Sequence, residues 1–145
     1  MDDPTPARAP LSERQLATLR ALIDRLIPPD DVPGGWEAGA GEYLLRQLAG
    51  DLRPILSVYQ AGLDALDAEA RAFGAAGFAE LPLARQDELL GAVERGAVVA
   101  EWPIDPAAFF SAAVAHAAEG FYADPANGGN RGALAWRMVG FEVRG

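Results

Sequence analysis

Apolar residues recur at helical spacing along most of the chain, and proline, glycine and capping residues cut the pattern into five stretches. Leu16, Leu19, Leu22, Ile23, Leu26 and Ile27 fall on one face of a first helix. Ser12 with Gln15 has the spacing of a capping box, and Leu11 with Leu16 that of a hydrophobic staple. Pro28-Pro29 ends the helix, because proline pushes the preceding residue out of the α region. A second helix would bring together Trp36, Ala40, Tyr43, Leu44 and Leu48 and stop at Gly50; Gly39 and Gly41 weaken it and so suggest close helix packing. Asp51 offers a cap to a third helix with Pro54 in its tolerant first turn, an inner face of Ile55, Tyr59, Leu63, Leu66 and Phe73, and an end at Gly74.

A fourth helix runs from about Pro82 to Val93, with Leu83, Gln86, Leu89, Leu90 and Val93 on its face and Gly96 as its stop. Ala97 to Ile104 is apolar enough for a strand but has no partner strand in sight. Asp105-Pro106 starts a fifth helix by cap and N1 proline, with a stripe of Phe109, Phe110, Ala113, Val114 and Ala117. Five amphipathic helices and no credible sheet predict an all-α fold, a single compact domain over residues 11–145 with a Gly/Asn-rich C-terminal loop and a short C-terminal segment. Residues 1–10 hold three prolines and few apolar groups, which predicts a flexible N-terminal tail.

At 145 residues and 50% apolar, the chain can bury a sizeable core in one domain. With no cysteine, disulfides, thiolate metal sites and a c-type haem attachment are excluded. A net charge of −9, and twelve basic residues that are all arginine and not clustered, argue against a nucleic-acid partner. No apolar run reaches the roughly 20 residues that span a bilayer, so no direct membrane insertion is expected. The acidic start Met1-Asp2-Asp3-Pro4 is unlike a signal peptide, which predicts a cytoplasmic location as written, with the periplasmic side open if a partner exports the chain or a leader was removed.

Chemistry of its own is poorly represented. The nearest approach to a dinucleotide fingerprint, Gly39-Ala40-Gly41-Glu42-Tyr43-Leu44, lacks the third glycine and the preceding strand. His116 is the only histidine, with Ala113 where a di-iron bundle would place a glutamate, and Ser111 sits at the wrong offset to face it. Glu37 with Glu42, Asp64 with Asp67, and Asp87 with Glu88 read most simply as solvated acidic faces.

The unusual segment is Gly120-Phe121-Tyr122-Ala123-Asp124-Pro125-Ala126-Asn127-Gly128-Gly129-Asn130-Arg131, followed by Trp136-Arg137 and Gly140-Phe141. Asn127 to Asn130 take positive φ at little cost, so the backbone can turn tightly there, as a pinned structural loop or as an anion-binding nest. Glu119, Tyr122, Asp124 and Arg131 are close enough in sequence to fix it through a polar network. The string resembles the GFYxDPxxGGNR signature of the gluconate 2-dehydrogenase subunit 3 family. Leu26-Ile27-Pro28-Pro29-Asp30, Pro33-Gly34, Glu37-Ala38-Gly39, Tyr43 and Gly77-Phe78 extend the likeness over most of the chain.

What the resemblance implies is a non-catalytic small subunit of membrane-associated dehydrogenases of sugars or sugar acids. It would stabilise or mature a GMC-type flavoprotein that carries the FAD, usually beside a multihaem cytochrome c, and would hold no cofactor itself. Exported members carry a twin-arginine signal, and no paired arginines precede an apolar stretch here; Pro82 stands where a serine cap is common. The candidates for a partner-binding or loop-fixing set are Trp36, Phe121, Tyr122, Asp124, Asn130, Arg131, Trp136 and Arg137. The alternative is a free-standing helical protein that binds a small ligand among Trp36, Tyr43, Tyr59 and Trp102, with His116 as a polar handle.

Overall fold

The computed structural model describes residues 10–28 and 35–121. Among them are five α-helices, α1 (Glu13–Leu26), α2 (Ala40–Ala49), α3 (Leu56–Ala72), α4 (Leu83–Arg95) and α5 (Pro106–Phe121), with short 3-10 turns at Arg53–Ile55 and Phe78–Glu80 and no strand. The fold is all-α, as the periodicity predicts.

The local start and stop signals work as written. The Ser12 hydroxyl accepts from the Gln15 backbone N–H at 3.0 Å, and the Gln15 side chain accepts from the Ser12 N–H at 3.0 Å, closing both halves of the capping box. Asp105 caps α5 by accepting the Ala108 N–H at 3.2 Å. Gly96 follows α4 at φ 75°, the left-handed geometry that lets a helix end without steric cost.

The α3 helix runs through the middle, burying Tyr59, Leu63, Leu66 and Ala70 together with Gly62 and Ala65. The α1 helix packs on one side of it through Leu19, Leu22 and Ile23, and α5 lies against α2 and α4. These helices share one core, completed by Leu44, Leu48, Phe78, Leu90, Val93 and Phe109. A smaller cluster of Ile27, Ala38, Ala117 and Phe121 closes the end where α1 and α5 finish and α2 begins.

Four details depart from the sequence pattern. Trp36 is not in the second helix: it sits in a turn before it, with Gly39 at φ 104° as the hinge between turn and helix. The indole lies where a Cβ on Gly41 would be, so Gly41 marks a close approach of turn to helix. No side chain of Asp51 caps the third helix, which is entered instead through the 3-10 turn after Leu52. Phe73, Leu83 and Val114, expected on inner faces, are 61%, 60% and 39% exposed. Ala97 to Ile104 forms no strand; its backbone is bonded to a side chain of α3 instead.

Candidate functional site

Two carboxylates inside α3 organise the molecule. Asp67 and Glu69 are both nearly inaccessible, and a two-residue offset on a helix turns them to opposite sides. Asp67 faces α1 and the 3-10 turn before α4. It accepts the Thr18 hydroxyl at 2.9 Å, the Phe78 N–H at 2.8 Å and the Arg14 Nε at 2.9 Å. Arg14 continues to Glu80 at 2.6 Å, and that hydrogen bond holds the Glu80 carboxyl below its usual range and the guanidinium above its own. The ladder latches the 3-10 turn onto α1.

Glu69 faces the segment after α4. It accepts the Val99 N–H at 2.6 Å, the Ala100 N–H at 3.0 Å and the Trp102 indole N–H at 3.0 Å. Every acceptor these two side chains direct inward is matched by a donor, so they fix loops rather than perform acid–base chemistry. A third polar contact joins α3 to α5: the Tyr59 hydroxyl meets His116 Nδ1 at 2.7 Å. Burial first, then the Glu119 charge, pushes the Tyr59 phenol well above its usual range, so it keeps its proton.

The proposed aromatic pocket divides. Tyr59 and His116 do come together, but Trp102 is joined to them only through Phe109, whose ring centroid lies 5.6 Å from Tyr59 and 6.1 Å from Trp102. Trp36 is elsewhere, against Gly41 with the Arg20 guanidinium 5.8 Å above its ring, and Tyr43 lies beside Gly120 on α5. The convergence is packed core. Among the described residues no group of three His, Asp or Glu side chains is arranged to hold a metal ion. No described helix is long and apolar enough to cross a membrane.

Of the residues singled out in the sequence, Trp36 is half-buried and its backbone N–H is accepted by Asp24 at 3.2 Å. Phe121 is buried in the cluster with Ile27, Ala38 and Ala117, so it anchors the end of α5. Tyr122, Asp124, Asn130, Arg131, Trp136 and Arg137 lie outside the described residues. Of the acidic pairs, Asp64 and Asp87 are exposed, but Asp67 is buried, which corrects its reading as part of a solvated face. Its neighbours Leu66 and Ala70 on an apolar stripe were the available signal.

The surface feature that stands out is apolar and was not legible in the pattern. Phe73 and Leu83, at 61% and 60% exposed, stand on either side of the turn that leads into α4. A groove of about 430 Å³ there is lined by Phe73, Leu81, Pro82 and Leu89, and a second of about 410 Å³ lies between α1 and α4 beside Leu83. Both are open to solvent, and the first is flanked by the Arg85–Glu88 pair.

A family model for gluconate 2-dehydrogenase subunit 3 matches residues 13–143. No curated protein and no solved structure matches the chain.

Proposed function

Since the chain belongs to the gluconate 2-dehydrogenase subunit 3 family, we propose that it is a non-catalytic small subunit that binds and stabilises a GMC-type, FAD-dependent dehydrogenase of sugars or sugar acids. The observation in the structure that supports this reading is the apolar surface leading into α4, where Phe73 and Leu83 stand in water. Isolated surface leucines are ordinary, but two large apolar side chains, each lining a groove, favour a partner. The buried polar groups agree with a passive role: Asp67 and Glu69 are used up in holding loops, and His116 is occupied by Tyr59.

In this reading the flavin and the substrate belong to the larger subunit, and a cytochrome c subunit would take the electrons onward. The small chain contributes a rigid helical surface.

Co-expression with a GMC-type flavoprotein dehydrogenase from the same source tests the reading. Co-elution on size exclusion is expected, with flavin absorbance of the large subunit falling when the small chain is left out. A flavin-loaded, fully active dehydrogenase that elutes alone would sink it.

A further inference from the structure

The groove at the end of α3 is apolar inside and carries more negative than positive charge. Phe73, Leu81, Pro82 and Leu89 line its volume of about 430 Å³. Phe73 stands 61% exposed just before Gly74, whose φ of 94° turns the chain away from the helix. A phenyl ring left in water forgoes the gain of burial, so this edge of the groove favours a cover.

Charge selects the kind of cover. Glu69, Glu80 and Glu88 line the groove, with Arg85 as the cation among them. Glu69 is 2% exposed; its oxygens accept three N–H donors from the segment after α4, and among the described residues no arginine pairs with it. The donors satisfy its hydrogen bonding and leave its charge in place. Glu80 is bonded to Arg14, which Asp67 shares. Arg85 and Glu88 meet loosely at 3.7 Å, both well exposed. Together with the residues bonded to it, the groove sets four carboxylates against two guanidinium groups. A buried charge behind apolar walls directs its field into the opening. The groove between α1 and α4 lacks this bias, because Arg20 and Arg25 there stand with Asp24 and Asp87.

We propose that the groove at the end of α3 receives a basic side chain of the dehydrogenase subunit, with its methylene stem along Leu81 and Leu89 and its charged head between Glu88 and the Phe73 ring. This deepens the accessory-subunit reading and rests on it. A lysine or arginine answers both features at once: its stem covers apolar surface, and its charge is drawn to an aromatic face as well as to carboxylates. A purely apolar occupant would leave the surplus negative charge unanswered, and an acidic one would add to it.

The test is a binding titration, at two salt concentrations, of the full-length small subunit against a GMC-type flavoprotein dehydrogenase from the same source. Phe73→Ala and Glu88→Arg change exposed side chains, as do their matched controls, Val114→Ala on α5 and Glu42→Arg on α2; circular-dichroism melting checks that all four fold. Phe73→Ala is expected to weaken binding about tenfold, and Glu88→Arg about tenfold or more with the salt dependence of association reduced, whereas each control changes binding by less than about threefold. Wild-type protein that does not bind the flavoprotein overturns the accessory-subunit reading itself. Wild-type binding with Phe73→Ala and Glu88→Arg unaffected, or with the controls equally damaging, overturns only the placement. Tighter binding by Glu88→Arg overturns the basic occupant, and so does a small subunit that dimerises alone and becomes monomeric on Phe73→Ala.

Discussion

Asp67 shows what one side chain contributes. It gathers a hydroxyl, a backbone N–H and a guanidinium in a place almost without solvent. Asp67→Ala strands the Phe78 N–H and the Thr18 hydroxyl, and urea unfolding should show a loss of about 3 kcal/mol or more. The Tyr59–His116 contact should behave asymmetrically. His116→Leu leaves the deeply buried phenol hydroxyl without its partner and should cost about 1–3 kcal/mol, whereas Tyr59→Phe leaves a half-buried imidazole that water can reach and should cost about 1 kcal/mol or less. Asp87, bonded to Arg25, and Glu80, bonded to Arg14, both titrate below their usual range in the folded chain. Their contribution is therefore fully present above the ordinary carboxylate value of about 4 and is lost as pH falls through the lowered folded values. Both are substantially exposed, so the effect is small; Asp87→Asn should flatten, in urea melts between about pH 5 and 2, the part of the acid slope that belongs to the Arg25 pair.

At the scale of elements, polar latches rather than caps alone decide where the connecting segments lie. Glu69 replaces the missing strand partner for residues 97–102 by accepting two backbone N–H groups and an indole. Glu69→Ala should speed hydrogen exchange at Val99 and Ala100 well beyond its effect on α1, and shift Trp102 fluorescence toward that of a solvated indole. Helix contacts also depend on glycine. A Cβ on Gly62 would enter the Phe109 ring, so Gly62→Ala should force α3 and α5 apart and cost about 1–3 kcal/mol in thermal or urea melts. The helices themselves were legible because cap and period are local properties: the α1 capping box, the α5 start at Asp105-Pro106 and the α4 stop at Gly96 all stand where the sequence puts them. Phe73, Leu83 and Val114 were placed inward because period assigns a face to a residue without saying whether a neighbour reaches it.

The whole molecule combines one shared core with an acidic exterior. Since α1, α2, α3, α4 and α5 all contribute to the same buried cluster, far-UV circular dichroism and tryptophan fluorescence should unfold in a single coincident transition. The pI near 4.5 places minimum solubility there, close to where the carboxylate pairs begin to weaken, so turbidity should rise toward that pH even before unfolding. The partner-facing role proposed for the α4 start belongs to this scale too, because its side chains come from the end of α3, the turn after it and the first turn of α4.

By itself the sequence determined the five helices and several of their ends, the lack of a thiol or dinucleotide motif and, through its residues 120–141 and the likeness elsewhere, the family. Those depend on spacing and composition within short windows of chain. Only the tertiary structure decided that Asp67 and Glu69 are interior latches, that Phe109 packs against both Tyr59 and Trp102, and that Tyr59 meets His116. Each of those depends on which residue from a distant part of the chain arrives at hydrogen-bonding or van der Waals distance, and no local pattern encodes the absence of a neighbour.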